Sequence, residues 1–476
     1  MLLPRLRVTG AQTAPVLAMV KFSGQLATYP ARAVFVAYAS LILAGTALLL
    51  LPVCRAPGAQ PHSITDALFT ATSATCVTGL TVRSTGSDFS LLGQAVILVL
   101  IQVGGIGIMT LTTFFTLQVT GRSDLHDRLI VSETLGAGSE RNLRWVLRNI
   151  LLVTAICEGA GFLVLLGRNL LEMEAGEALW SAAFHSVSAF CNAGFALADN
   201  SLSPFRDDVV LNLSIAGLIV TGGIGFPVLL DLARNRRQPW LEQPRHWKLH
   251  TKLMLIGTTL LLLLGTLAFL ALEWNNALAE MTWGQRLLTS FFQSVTVRTA
   301  GFNTVPIGTL TNASLFVLIL LMTVGAGPCS AGGGLKVSTF MVLVLSSWSR
   351  FRGAEQLTLF RRTVPASLVG RATAAALIFG VIAALSLTLL LVLEHTVQPR
   401  LEMGGIFLDS MFEVVSALGT VGLSTGLTGQ LTERGRLLIV VVMLIGRLGP
   451  ITVFVAASSG ARRRQLHYPR EEVLIG

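Results

Sequence analysis

The chain has 476 residues, of which 52% are hydrophobic and 13% are charged, and its mean hydropathy is +0.69. An average soluble domain has about 25% charged residues, so this composition excludes an ordinary cytosolic protein. A net charge of +10 on a soluble protein would indicate a nucleic-acid partner. In a chain with long apolar runs, Lys and Arg instead mark the cytoplasmic loops. We therefore expect an integral membrane protein that contacts membrane lipid and binds no nucleic acid.

The N-terminal segment does not have the pattern of a secretory signal. Arg5 and Arg7 are basic, but Gly10 and Pro15 interrupt the stretch before any long apolar run begins. We expect the first span to remain in the mature protein, preceded by a cytoplasmic segment at residues 1–30.

Eight apolar runs are long enough to cross a hydrocarbon core, which takes about 20 residues. They lie near residues 31–53, 92–117, 150–166, 209–232, 253–272, 315–347, 372–394 and 437–457. The gaps after the second, fourth and sixth runs are rich in Arg, which indicates the cytoplasmic side. The gaps after the first, third, fifth and seventh runs each hold an apolar segment too short to span. These four segments are candidate re-entrant helices.

The four short segments are copies of one pattern, in which a phenylalanine lies ten residues before a glycine. The pairs are Phe69 and Gly79, Phe184 and Gly194, Phe291 and Gly301, and Phe412 and Gly422. A further glycine follows each pair inside the next span, at Gly104, Gly222, Gly325 and Gly446. Such self-similarity is typical of a repeat architecture. We expect the phenylalanines to pack the short helices rather than to bind a ligand.

Each repeat contains a span, a short helix, a glycine-containing loop and a second span. Because a unit crosses the membrane twice, all four units have one orientation, unlike the inverted repeats of many secondary transporters. The predicted fold is all-α, with units at residues 31–120, 140–235, 250–349 and 370–458 around one axis, and a tail at 459–476. Most of the 35 Lys and Arg residues then lie on the cytoplasmic side, where we expect both termini.

The repeated loops suit a cation. Lipid cannot pair the carbonyls of non-helical backbone, so such loops must face protein or a water-filled path. Small residues before the turn, as in Thr75-Cys76-Val77-Thr78-Gly79, allow carbonyls to replace the water shell of a dehydrated cation. Glycine tolerates the positive φ of the turn. The alternative, that these glycines only permit close helix packing, does not explain the fixed phenylalanine in four places.

Two arginines lie where charge is costly. Arg447, in the last span, is expected near the middle of the membrane, and such charges are functional candidates. It would act as an electrostatic gate, the alternative being a structural ion pair with Glu158. Arg298 lies within the third loop, where its side chain would block a cation, so we expect that side chain to point into the scaffold and to hold the loops.

Three carboxylates lie beside the loops: Asp66 near the first, and Asp409 and Glu413 near the fourth. They are candidates for a cation-attracting outer mouth. The alternative is that they are ordinary solvated surface carboxylates.

The sixth span contains a cluster that a continuous helix does not tolerate. Within residues 322–340 it has Gly325, Gly327, Pro328, Gly332, Gly333 and Gly334. An irregular segment halfway across the membrane would reach the inner side of the conduction path and could move as a gate. The alternative is a static kink covered by neighbouring helices.

These motifs together resemble the Trk/Ktr/HKT superfamily of potassium transporters. The resemblance rests on the four glycine loops, GAGPCSAGGGLK of the sixth span, RTAGF of the third loop and GRLGP of the last span. The length and the tail LHYPREEVLIG are most similar to the Ktr membrane subunit. The resemblance implies four M1-P-M2 repeats in pseudo-fourfold arrangement, a homodimer in the cell membrane, and potassium uptake with sodium stimulation left open. It also implies gating by a cytosolic ring subunit that binds adenine nucleotides.

The resemblance assigns roles to particular residues. The selectivity filter would comprise Thr75, Cys76, Val77, Thr78, Gly79, Cys191, Asn192, Ala193, Gly194, Arg298, Thr299, Ala300, Gly301, Gly419, Thr420, Val421 and Gly422. Potassium would bind the carbonyls of Val77, Thr78, Asn192, Ala193, Thr299, Ala300, Thr420 and Val421. The gate would comprise Gly325 to Gly334 together with Arg447. Glycine at all four filter positions goes with selectivity for potassium over sodium, although the residues before the glycines differ among the loops.

Other function classes fit less well. An ion-coupled secondary transporter of a small solute stays open as an alternative, but parallel repeats and the lack of a solute-sized polar set disfavour it. The seven histidines form no HExxH motif, so an enzyme is not expected. The five cysteines show neither CxxC pairing nor metal-ligand spacing. We expect no covalently bound cofactor, and potassium and sodium are the candidate ions.

Overall fold

The structure is a computed structural model that describes residues 30–120, 143–236, 238–239, 242–354, 356–395 and 405–449. Residues 1–29 of the predicted N-terminal segment, residues 140–142 of the second unit, residues 396–404 and 450–458 of the fourth unit, and the C-terminal tail lie outside these residues. The described part is helical apart from loops and one two-stranded hairpin, which pairs β1 (Thr358–Leu359) with β2 (Arg362–Thr363). The all-α prediction is confirmed for these ranges.

The helices follow one another in the order that the apolar runs predicted. They are α1 (Pro30–Leu49), α2 (Ile64–Thr75), α3 (Leu91–Thr120), α4 (Leu143–Asn169), α5 (Ala175–Phe190), α6 (Val209–Ile224), α7 (Phe226–Asn235), α8 (Gln243–His246), α9 (Leu249–Leu272), α10 (Trp283–Thr296), α11 (Asn312–Thr323), α12 (Val337–Phe351), α13 (Ala366–His395), α14 (Ile406–Gly419), α15 (Leu427–Gln430) and α16 (Glu433–Leu448).

Among the described helices, three are by themselves long and apolar enough to cross a membrane: residues 147–169 of α4, α9, and residues 366–394 of α13. The bent pair α6 and α7 would make a fourth span. Parts of α1 and α3, and the whole of α11 and α12, are shorter apolar helices. The count of eight spans stays a prediction.

The fourth predicted span, residues 209–232, is not one helix. It breaks at Gly225, and the axes of α6 and α7 differ by 100°. Gly225 has φ +101°, and the proline at 227 has no N–H to continue the helical hydrogen bonds. The apolar run at 209–232 therefore contains a break that its hydropathy did not indicate, because hydropathy does not register a missing backbone donor.

The sixth predicted span is broken, as its glycine cluster predicted. α11 ends at Thr323 and α12 begins at Val337. Residues 324–336, called the inner loop below, connect them. A parallel bridge between Val324 and Leu335 closes the neck of this loop.

The four short helices α2, α5, α10 and α14 form much of the interior. Three of the repeated phenylalanines, Phe69, Phe184 and Phe412, are fully buried on them, which confirms their predicted packing role. The third copy differs, because Phe291 is only partly buried and its neighbour Phe292 takes the interior position. Each short helix leads directly into one of the repeated loops, so helix packing fixes where these loops lie.

Candidate functional site

The four repeated loops, called loops 1 to 4 after Gly79, Gly194, Gly301 and Gly422, meet in a closed ring. A Cβ atom on each glycine would collide with the carbonyl oxygen of the residue that precedes the next glycine. These contacts run from Gly79 to Ala193, from Gly194 to Ala300, from Gly301 to Val421 and from Gly422 to Thr78. The first three would lie at 2.6 to 2.7 Å. Only glycine fits, and the loops surround one axis in chain order.

The loops share an unusual backbone conformation. The ring glycines have φ between +71° and +97°. The residues two positions earlier, which all carry a Cβ, also have positive φ, from 49° to 68°. They are Val77, Asn192, Thr299 and Thr420. Positive φ is uncommon and costly for such residues and persists where the surrounding structure imposes it. The loops therefore follow one backbone path although their side chains differ.

A serine six residues before the ring glycine holds three of the loops, and the sequence prediction did not include it. In loops 1 and 4 its hydroxyl accepts a hydrogen bond from the glycine N–H at 3.1 Å. In loop 2 it donates to the carbonyl that follows the glycine at 2.8 Å. These serines are Ser73, Ser188 and Ser416. Their recurrence at one offset was the available signal. Loop 3 has Val295 there, and Thr296 donates to the carbonyl of Phe302 instead.

A cavity of about 460 Å³ opens on one side of the ring and is lined by all four ring glycines. Hydroxyl and amide side chains make up much of its remaining wall, and Asp199 is the one carboxylate among its described lining residues. Asp199 accepts hydrogen bonds from Ser84 and, at 3.0 Å, from Ser87. The sequence prediction did not name Asp199, because it lies outside the repeated pattern.

The carboxylates predicted for the mouth lie elsewhere. Asp66 is 2% exposed and forms ion pairs with Arg83 at 2.9 Å and Arg436 at 2.8 Å. Glu413 is fully buried and accepts hydrogen bonds from hydroxyl groups. Asp409 is partly exposed. None of the three lines the cavity, so the mouth prediction is wrong. The solvated-surface alternative is also wrong for Asp66 and Glu413, because the short helices are buried almost from their first turn.

The second set of recurring glycines lets three helices approach the loops closely. A Cβ atom on each would collide with the carbonyl of the residue four positions before a ring glycine. The pairs are Gly104 with Thr75, Gly222 with Phe190, and Gly446 with Leu418. The fourth member, Gly325, is on the inner loop and faces Gly333. Gly104, Gly222 and Gly446 therefore permit close packing between helices, the role that was the alternative for the ring glycines.

The inner loop lies against the end of the ring opposite the cavity. A Cβ atom on Gly332 or Gly333 would collide with the hydroxyl oxygen of Thr299 or Thr420, respectively. These threonines are the positive-φ residues of loops 3 and 4. Any path through the ring from the cavity therefore leads directly to this loop.

Three cationic side chains donate hydrogen bonds to carbonyls of the inner loop. Arg298 Nη2 donates to Gly325 at 2.9 Å, Lys336 Nζ to Gly332 at 2.7 Å, and Arg447 Nη1 to Ala331. Arg298 thus bonds the inner loop, where the prediction had it hold the repeated loops, and it does not line the cavity. Arg447 Nη2 also donates to the carbonyl of Gly104 in α3 at 3.0 Å. Broken helices leave such carbonyls unpaired, and these donors satisfy them.

The alternative considered for Arg447, an ion pair with Glu158, is not formed in the part of the chain that the structure describes. Glu158 instead accepts a hydrogen bond from Gln102 Nε2 at 3.0 Å, and no ion pair formed by the described residues includes Arg447. That alternative is wrong, because backbone carbonyls supply the acceptors for the guanidinium.

The structure brings the other predicted loop residues together at the ring, where all are buried. They are Thr75, Cys76, Val77, Thr78, Cys191, Asn192, Ala193, Thr299, Ala300, Gly419, Thr420 and Val421. The predicted gate residues Gly325, Gly327, Pro328, Gly332, Gly333 and Gly334 lie on the inner loop.

A family model supplies the identification. The model of TrkH, described as a cation transport protein, matches residues 25–463. The chain belongs to the TrkH family. It is therefore a membrane transporter and not an enzyme, and the resemblance noted in the sequence is confirmed.

Individual TrkH-family relatives agree along nearly the whole chain. The chain is 39% identical to the Ktr system potassium uptake protein B of Vibrio alginolyticus, over 94% of each protein. It is 34% identical to the potassium/sodium uptake protein NtpJ of Enterococcus hirae, over 94% of this chain and 97% of that protein. The crystal structure of the potassium transporter TrkH from Vibrio parahaemolyticus shares the fold, with a TM-score of 0.69 and 19% identity, over 89% of this chain and 84% of that one.

Proposed function

We propose that this chain takes up potassium across the cell membrane through a pore lined by loops 1 to 4. The observation that carries the proposal is the closed ring of four glycines. The residue two positions before each glycine has the same left-handed backbone conformation in all four loops. The names of the relatives, as potassium uptake proteins, support potassium as the substrate. One of them names sodium as well, so sodium is the second candidate ion.

Backbone carbonyls would replace the hydration shell of the ion. The candidates are those of Val77, Thr78, Asn192, Ala193, Thr299, Ala300, Thr420 and Val421. Because backbone oxygens do not depend on side-chain identity, four unlike loops can form one site. The C-terminal ends of α2, α5, α10 and α14 lead into the loops, and their negative dipole ends favour a cation. Asp199 in the cavity would raise the local cation concentration.

The inner loop is the proposed gate. It lies against loops 3 and 4 at the end of the ring opposite the cavity, so an ion that leaves the ring must displace or bypass it. Arg298 and Arg447 hold it by hydrogen bonds from outside the loop, and Lys336 donates a hydrogen bond within it. Arg447 also places a positive charge near the exit, which opposes a cation while the loop is in this position.

The larger organisation is part of the same proposal. The helices would form four M1-P-M2 units, α1 to α3, α4 to α7, α9 to α12 and α13 to α16, with both termini in the cytoplasm. The name "Ktr system" of the relatives supports a transporter of more than one component. We propose a homodimer regulated by a cytosolic nucleotide-binding ring subunit, with sodium as a stimulating ion.

Rubidium flux tests the proposed function. The full chain would be reconstituted in proteoliposomes, and uptake of radioactive rubidium would be measured without any other solute, against competing potassium or sodium. We expect uptake above that of protein-free vesicles, with potassium competing at about tenfold lower concentration than sodium, a difference of about 1.4 kcal/mol. No uptake by assembled protein would overturn the proposal. Uptake that requires an added organic solute would favour the ion-coupled transporter.

A further inference from the structure

The break in the fourth span and the inner loop form one hydrogen-bonded unit. Three backbone hydrogen bonds join residues 222–227 of the break to the inner loop. They run from Gly327 N to Gly223 O at 2.7 Å, from Ala331 N to Gly222 O at 3.2 Å, and from Phe226 N to Cys329 O at 3.0 Å. No side chain takes part in them, so the two segments recognise each other by backbone shape.

The break offers the groups that a continuous helix would have used internally. In an uninterrupted α-helix, the carbonyl of residue 223 accepts from the N–H of residue 227, and the carbonyl of 222 from that of 226. Pro227 has no N–H, so the carbonyl of Gly223 is left for Gly327. The N–H of Phe226 is turned to Cys329, so the carbonyl of Gly222 is left for Ala331.

Gly225 gives the inner loop room to approach. Its φ of +101° directs the chain from α6 into α7, and a Cβ atom there would collide with the carbonyl oxygen of Pro328. Pro227 and Val228 are buried beside it. A glycine and a proline two positions apart therefore produce both the bend and the contact surface.

Both ends of the break are anchored. On the α6 side, Gly222 packs beneath the carbonyl of Phe190 at the start of loop 2. On the α7 side, Asp231 accepts hydrogen bonds from Thr251 Oγ1 at 2.6 Å and from Lys248 N at 3.1 Å. The break is thus fixed between the ring and the beginning of α9, and the inner loop is held to a part of the protein that packs independently of it.

We propose that residues 222–227 are the docking seat of the inner loop, and that Pro227 is a positioning residue that keeps the seat open. The proposal rests on the proposed function, in which this loop is the gate. Pro227→Ala would restore an N–H that competes with Gly327 for the carbonyl of Gly223. The loop would then lose one of its three backbone hydrogen bonds and leave the seat more often.

The thiol of Cys329 reports the position of the loop directly. Cys329 is 5% exposed, and its backbone carbonyl is one of the docked groups. The intact chain in proteoliposomes would be treated with N-ethylmaleimide, and the labelled fraction of each cysteine would be followed by peptide mass spectrometry. Cys54 is the internal reference, because it is also buried but lies in the turn after α1 and not in the inner loop. Pro365→Ala is the matched control, because Pro365 also lies at the N-terminus of a helix but does not touch the loop.

We expect Cys329 to react about fivefold faster in Pro227→Ala than in the unmodified chain, because the loss of one backbone hydrogen bond produces about this factor. Rubidium flux through the same variant should also rise. Pro227→Ser, which supplies the same N–H, should behave alike and covers a failure of the alanine variant to assemble. Equal rates of Cys329 labelling in the unmodified chain, the Pro227 variants and Pro365→Ala would contradict the proposal that residues 222–227 dock the inner loop. Faster labelling in a chain that carries no rubidium would support the seat and overturn the proposed function instead.

Discussion

The glycine loops and the inner loop are both irregular backbone inside a helical protein, but they are held in different ways. The glycine loops are fixed by steric exclusion, since each ring glycine leaves no room for a Cβ atom beside the next loop. Hydroxyl groups of their own short helices complete the support. The inner loop is held from outside, by arginine side chains and by the carbonyls of a second broken helix.

This difference separates a rigid element from a releasable one. A hydrogen bond to a charged group contributes about 1.5–3 kcal/mol, so a few of them can break and reform as a gate moves. Overlap between packed backbone atoms cannot be relieved without moving a whole loop. Changes at the ring should therefore alter which ion passes, whereas changes at the inner loop should alter how fast ions pass.

Gly79→Ser should have the largest effect. Serine at φ +97° is strained, and its Cβ atom would lie 2.6 Å from the carbonyl oxygen of Ala193. A displacement in one loop disturbs the other loops that touch it, so we expect preference for potassium over sodium to fall by at least about tenfold, or 1.4 kcal/mol. Competition of the two ions with rubidium uptake measures this preference.

Gly426→Ser is the matched control for the ring. Gly426 has φ +105°, lines the same cavity and has no neighbouring atom within 4 Å of an added Cβ. It carries the same backbone strain without the collision, so selectivity should persist. Equal loss of selectivity in both variants would mean that strain, and not the packing of the ring, is responsible.

Arg447→Ala should mainly change rate. The variant removes the hydrogen bonds to Ala331 and Gly104 and the positive charge beneath the ring. Because Tyr38 still donates to Gly104 at 2.8 Å, α3 keeps one partner while the inner loop loses its link to α16. We expect rubidium flux to rise about tenfold, the equivalent of losing one charged hydrogen bond, with unchanged ion preference.

Arg447→Lys is the informative companion, because it keeps the charge but not the two-pronged geometry. Flux that rises in Arg447→Ala and not in Arg447→Lys would assign the effect to charge. A collapse of flux in assembled Arg447→Ala protein would contradict the gate assignment and leave Arg447 as a structural residue.

Lys336→Met should have a smaller effect in the same direction. Lys336 Nζ donates to Gly332 at 2.7 Å, but both residues belong to the inner loop, so this bond shapes the loop without tying it to another helix. We expect about a twofold rise in rubidium flux, because only a small part of a charged hydrogen bond of about 1.5–3 kcal/mol opposes opening when both partners lie in the loop. An effect as large as that of Arg447→Ala would mean that the internal shape of the loop controls opening, and not its attachment.

The sequence predicted the ring better than its surroundings. The recurrence of phenylalanine and glycine located all four loops, and the glycine cluster located the break between α11 and α12, because both signals are local. The break at Gly225 was missed, since GGIGFP is apolar and hydropathy continues through it. The partner of Arg447 was also not predictable, because Ala331 and Gly104 are neutral backbone acceptors that only the folded chain brings beside it.

Substitutions of Glu158 should change rubidium uptake least of all. They test whether the four units need identical support for their loops. Ser186 Oγ donates to the backbone carbonyl of Glu158 at 2.6 Å, and in the third unit Ser294 Oγ donates to that of Leu262 at 2.8 Å. Leu262 therefore occupies the position of Glu158, and one loop is supported without a carboxylate there.

Two substitutions separate the charge of Glu158 from its hydrogen bond. Glu158→Gln keeps an acceptor for Gln102, so we expect rubidium uptake within about twofold of the unmodified chain. Glu158→Leu copies the third unit but leaves the Gln102 amide without its acceptor, which costs about 1 kcal/mol of stability and should lower the melting temperature more than the transport rate. Loss of uptake in Glu158→Gln would place this carboxylate in the transport path, and the second loop would then differ from the third in function as well as in sequence.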